Sequence, residues 1–305
     1  MTRTRRACLG ALVVTLSTVL AWALARPDHA TAAMLARIAA DGAAVVVLGL
    51  AVVPLLEDSR HRAELARRSA AVLVVAGWVW LAAELVRLLT TAAATAAVAV
   101  TDLDVRTTGE FVVATAAGRA DLICVAAAAL VVGLSIAART PHVSVIAGAA
   151  AIGTAARTLT GHLSESALGG VAVTLHALAA ALWCGVLAAL VLLIGHRGQW
   201  ARVLPRFSVL SLWAVLVLLV GGVISGALLL GSPGALIGTG YGRLLLGKLV
   251  VTAALMALAW QNRSRWLPSA RGHRSSAEVS TRRSDTELAL MAVALTLAAA
   301  LAVTG

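Results

Sequence analysis

Charge is scarce in this chain. Asp, Glu, Lys and Arg make up 13% of its 305 residues, against about a quarter in a soluble domain. Hydrophobic residues make up 60%, and the mean hydropathy is +0.93. A water-soluble fold could not hide that much apolar surface, so the class that remains is a polytopic membrane protein. Lysine is scarcer still: Lys248 is the single lysine among 25 basic residues. The arginine bias goes with abundant Ala, Val and Gly and follows coding composition, so arginine in general carries little functional information. Cysteine is confined to Cys8, Cys124 and Cys184, each inside an apolar run, which argues against a disulfide framework. Enzyme motifs are missing too. There is no HExxH, no G-x-S-x-G and no aspartate in a transport-ATPase setting. No internal repeat and no compositional break marks a soluble domain.

Long apolar runs are what the chain has in quantity. A membrane helix needs about 20 mostly apolar residues, and nine segments qualify: 7–25, 35–56, 70–90, 119–138, 142–160, 170–195, 207–230, 242–260 and 286–304. The net charge of +11 would suggest nucleic acid in a soluble protein, but its placement says otherwise. The alternate connections 1–6, 57–69, 139–141, 196–206 and 261–285 hold 17 of the 25 basic residues. The positive-inside rule therefore puts the N-terminus in the cytoplasm and the C-terminus outside. The expected fold is an all-α, multi-pass bundle of about nine helices in the plasma membrane. Its first segment, MTRTRR with an apolar run and Ala23-Leu24-Ala25, reads as an anchor or as a cleavable signal peptide. TAAATAAVAV (91–100) extends the third helix, and TDLDVRTTGE (101–110) reads as an extracellular loop. Residues 261–285 read as a solvated cytoplasmic loop.

Ionisable groups at a membrane centre cost about 2.5–3.5 kcal/mol each on insertion scales, so their positions matter. Outside the cytoplasmic loops they are Arg37 and Asp41, Glu84 and Arg87, Asp121, Arg157, His176, Arg243 and Lys248. The topology puts all of them in the outer third of the membrane. Arg37 and Asp41 are spaced i,i+4 and Glu84 and Arg87 i,i+3, the spacings of helical ion pairs. Together they predict a polar vestibule open to the outside. His162 ends the fifth span and His176 lies within the sixth, with Trp183 on the same helix face and Cys184 a turn deeper. Membrane imidazoles suit a transition metal, a haem iron or a proton relay. Two on adjacent helices point to a ligand pair.

One stretch, GRLLLGK (242–248), comes within a residue of a P-loop, but Leu249 stands where the magnesium-binding Ser or Thr is needed. The topology also places it at the outer surface, away from nucleotide. Its glycines allow a tight outer turn and close helix packing, Arg243 reaches the headgroups, and Lys248 pairs with an outer carboxylate, Asp41 or Glu84 first.

The segment from 206 to 263 resembles the CopD family of copper-resistance and copper-transport membrane proteins. The resemblance is carried by Arg206-Phe207-Ser208, the small-residue run from Gly221 to Gly226, the turn from Gly238 to Tyr241, and Lys248. Asn262-Arg263 and Glu287-Leu288 extend it, as do Gly161-His162 and His176…Trp183-x-Gly185 upstream. It divides the chain into N-terminal membrane helices (1–160) and a CopD-like membrane domain (161–305). It implies a plasma-membrane protein that handles copper, taken as Cu(I), with His162 and His176 as ligands and Cys184 or Cys124 as deeper ones. Asp41, Glu84 or Asp121 would lower the cost of the cation. The implied partners are membrane lipid, the copper ion and an extracytoplasmic copper chaperone, with no nucleic acid and no nucleotide. The alternatives are a haem-binding or redox protein, with haem b held axially by His162 and His176, and a copper-delivery assembly factor.

Overall fold

A computed structural model describes residues 3–26, 31–137, 141–158, 160, 167–229, 235–266 and 277–304. Among the described residues the regular elements are all helices. These are α1 (Arg3–Leu24), α2 (Thr31–Val52), α3 (Ser59–Ala96), α4 (Val105–Ala114), α5 (Ala116–Ala137) and α6 (Val143–Thr158). They continue with α7 (Ala167–Leu193), α8 (Arg197–Leu229), α9 (Ala235–Gly238), α10 (Gly240–Gln261) and α11 (Ala277–Thr304). Seven helices are long and apolar enough to cross a membrane, and two shorter apolar ones, Cys8–Leu24 and Val143–Thr158, join them. Each of the nine predicted segments falls on a helix, and the chain is an all-α, multi-pass membrane protein.

Several predicted connections are helical instead. α3 has 38 residues, about 57 Å at 1.5 Å per residue, and its first three turns take up most of 57–69. There Arg67 and Arg68 reach Glu64 at 2.6 and 3.0 Å. α8 likewise absorbs most of 196–206, and α11 the end of 261–285. Hydropathy marks where lipid contact ends, whereas a helix continues as far as its hydrogen-bond ladder is favoured. The 101–110 stretch is also largely ordered. Asp104 Oδ1 accepts the Thr107 amide at 2.7 Å and caps α4. A Cβ on Gly118 would lie 2.2 Å from the Phe111 carbonyl oxygen, so the α4–α5 corner closes only over a glycine. The expected extension of the third helix is present: α3 runs to Ala96 and stops at Ala97, whose φ of 55° makes a left-handed cap.

The chain packs as two units, Met1–Ile38 with Ile194–Val209 and Leu230–Gly305, and Ala39–Leu193 with Leu210–Leu229. In the first, Ala21, Ala25, Met34, Leu244, Leu297, Ala300 and Leu301 form the core where α1, α10 and α11 meet. A Cβ on Gly240 would sit 2.5 Å from the Ala25 carbonyl oxygen. In the second, α3 buries Leu73, Gly77, Trp80, Glu84 and Leu88, a stripe at helical spacing. Its other face exposes Val75, Trp78, Val79 and Val86, apolar surface that suits lipid. α2 and α7 touch backbone to backbone: a Cβ on Gly49 would lie 1.8 Å from the Gly185 oxygen. Gly185 of the Trp183-x-Gly185 motif thus serves close packing.

Candidate functional site

Trp80, Glu84 and Arg87 follow one another at i,i+4 and i,i+3 and share one face of α3. The Trp80 ring lies over Gly153 of α6, where a Cβ would meet its Cζ2 at 2.8 Å. The indole Nε1 donates to Glu84 Oε1 at 2.8 Å, which aims the carboxylate at α6. Arg157 is one turn beyond Gly153 on the same face, and its guanidinium ion-pairs with both Glu84 and Asp41 of α2. Arg87 Nη2 reaches Asp121 Oδ1 of α5 at 2.6 Å, and its Nε lies 3.7 Å from Glu84 Oε2. One turn past Asp121, the Cys124 thiol donates to the Gly153 carbonyl at 3.2 Å.

Five of the predicted vestibule residues therefore form one network across α2, α3, α5 and α6. Side-chain exposure is 24% at Asp41 and 12% at Arg87, and falls to 3% at Arg157 and 0% at Glu84 between them. Three carboxylates against two guanidiniums leave these five residues with a formal charge of −1. Glu84 pairs with Arg87 as its spacing predicts. Asp41, read as the partner of Arg37, ion-pairs with Arg157, a guanidinium that α6 brings to it.

His176 is aimed elsewhere. Two residues earlier on α7, Thr174 Oγ1 is 2.8 Å from Thr158 Oγ1 of α6. Positions two apart diverge by about 200° around a helix, so His176 turns toward α8. There its Nδ1 lies 3.0 Å from the Leu218 carbonyl oxygen. The structure thus joins the carboxylates to arginines and gives the imidazole a different neighbour, α8. Trp183 and Cys184, further along α7, are buried. His162, the other half of the expected ligand pair, lies outside the described residues.

Arg243 was expected to reach the headgroups. It donates instead to the carbonyls of Leu24 and Ile237, each at 3.2 Å, and to that of Arg26. The end of α1 leaves carbonyls without helical partners, and a cation there is favourable. Lys248 belongs to the first packing unit and its expected partners Asp41 and Glu84 to the second, where both pair with Arg157. Arg37 is half-buried on α2. GRLLLGK is helical throughout: Thr239 Oγ1 accepts the Gly242 amide at 3.0 Å and caps α10, which leaves no phosphate cradle.

Two groupings went unread in the sequence. Asn262 Nδ2 donates to Glu287 Oε2 at 2.7 Å, both buried, and Arg263 Nη1 donates to the Ser208 carbonyl and hydroxyl oxygens at 2.9 Å each. Motif residues far apart in sequence so meet where α8, α10 and α11 have the ends that the topology assigns to the cytoplasm. Glu57, Asp58 and His61, at the start of α3, bring ligand atoms within 4.8 Å of one another. The Glu-Asp-x-x-His spacing was the available signal. That donor set is oxygen-rich and suits harder divalent ions better than Cu(I).

Residues 201–301 match the family model for copper resistance protein D, and residues 27–171 match that for the copper resistance protein D-like N-terminal domain. Together they cover most of the chain, including the N-terminal half that the resembling motifs do not reach. No curated protein and no solved structure matches it.

Proposed function

The chain belongs to the copper resistance protein D family, and from that premise we propose that it binds copper ions and carries them inward across the plasma membrane. The observation that carries the reading is His176, an imidazole set in the apolar helix α7 and anchored to the main chain of α8. Imidazole and thiolate are ligands that Cu(I) accepts. In this reading His162 captures the ion at the outer surface, His176 holds it, and the carboxylates of Asp41, Glu84 or Asp121 lower the cost of bringing in a cation. Cys184, on the same helix as His176, is the deeper ligand preferred, with Cys124 as the other candidate. Residues 161–305 carry the ligands, and 1–160 the compensating carboxylates. An extracytoplasmic copper chaperone would supply the ion. The activity is binding and translocation, with no bond made or broken.

The test is cellular copper content in cells with the protein, without it, and with His176→Ala. Loss of accumulation in the variant to the level of cells lacking the protein is expected. Equal copper in all three would sink the transport reading. A purified sample with a Soret band and no copper would replace it with haem held by the histidines. Copper bound without flux in proteoliposomes would make the protein a delivery factor.

A further inference from the structure

A carbonyl oxygen only accepts hydrogen bonds. At 3.0 Å from the Leu218 oxygen, His176 Nδ1 must therefore carry the proton, which leaves the lone pair of the neutral ring on Nε2. In the α8 helix the same oxygen takes the Gly222 amide, and its two lone pairs let it serve both donors. The approach depends on glycine. A Cβ at Gly221 would lie 3.0 Å from the Ala172 oxygen and 3.1 Å from His176 Cβ, tight enough to push α7 and α8 apart. One at Gly222 would lie 3.7 Å from His176 Cε1 and 3.8 Å from Nδ1, ordinary van der Waals contact. Leu218, Gly221 and Gly222, spaced i,i+3 and i,i+4, together form a shelf on α8 under the imidazole.

We infer that this shelf is a positioning device: the Leu218 carbonyl, admitted by Gly221, locks His176 as the Nδ1-protonated tautomer and presents Nε2 to copper. The inference rests on the copper reading of His176. A hydrogen-bond partner behind a ligating histidine fixes its tautomer and orientation and raises its basicity. Here that partner is main chain, so no side-chain substitution removes it, and the glycine that lets the helices close is the residue to change.

Ring-nitrogen NMR shifts of histidine-labelled protein in nanodiscs, with His176 assigned by its loss in His176→Ala, read the tautomer without metal. Cu(I) affinity is read separately by competition with a chromophoric chelator. The wild-type protein should show Nδ1–H. Gly221→Val should lose that bias and bind Cu(I) about 10–100-fold more weakly, while Gly222→Ala should keep both. An Nε2–H tautomer in the wild-type protein overturns the inference whether or not the variants fold. So does a Gly221→Val protein whose tautomer shifts with affinity unchanged. Nδ1–H in a wild-type protein that binds no Cu(I) sinks the copper reading, and with it the role of Nε2 as ligand.

Discussion

Arg157 and Arg243 begin as the same observation, an arginine that the topology sets in the outer third of a membrane helix, and they end in opposite surroundings. The Arg157 side chain is 3% exposed and ion-pairs with Asp41 and Glu84. Arg243 is half-buried and donates to the main-chain oxygens of Leu24, Ile237 and Arg26. A guanidinium has five donors in a fixed fork and is satisfied by either arrangement. What differs is the dependence of the neighbours. Carboxylates buried around Arg157 carry charge that needs it, while carbonyls at a helix end can turn to water. An arginine in a membrane helix is therefore informative only once its acceptors are known.

The sharpest way to break the comparison is to remove Arg157. Arg157→Met leaves the buried Glu84 and the half-buried Asp41 without that partner, and losing one side of a buried ion pair costs about 3–5 kcal/mol. The variant should unfold well below the wild-type temperature in detergent. Arg157→Met combined with Glu84→Gln should recover part of the loss, because one uncompensated charge goes with the pair. An unchanged single variant would mean that the network does not hold α2, α3 and α6 together.

Arg243→Met should lose less, about 1–2 kcal/mol, since hydrogen bonds to a charged group contribute about 1.5–3 kcal/mol and water replaces part of that at a helix end. Arg243→Lys should recover little of it, because a point charge cannot bridge three carbonyls. A loss as large as that of Arg157→Met would erase the distinction between the two arginines.

The membrane architecture was legible in the sequence because lipid demands about 20 apolar residues per crossing and leaves a pattern that needs no partner to be read. The Glu84–Arg87 pair was legible for a related reason: a helical spacing is local. The Asp41–Arg157 pair was not. Arg157 is 116 residues away, and no spacing in a single chain reports a contact between α2 and α6. The run from Gly221 announced that something comes close to α8, yet only the fold shows that the visitor is His176. α4 was missed because TDLDVRTTGE has the composition of a loop, although Asp104 ahead of Thr107 is a helix-start signal.

The smallest effect belongs to the N-terminal extension of α3, where Glu64 meets Arg67 and Arg68 at 2.6 and 3.0 Å. The shorter of them equals the Arg87–Asp121 contact at 2.6 Å, so distance alone would rank those two together. Exposure separates them: the side chains are 45–55% exposed, against 5% for Asp121. In water each pair gains little Coulomb energy and loses side-chain freedom, so exposed pairs contribute about 0.2–1 kcal/mol. Glu64→Gln should therefore shift thermal unfolding by less than either arginine variant, and 0.5 M salt should remove most of the shift, because a Debye length of about 4 Å screens exposed charges. The Arg157→Met loss should survive the same salt, since a buried pair is screened much less. A Glu64→Gln loss equal to that of Arg157→Met, persisting in salt, would show that burial does not set the ranking of these ion pairs.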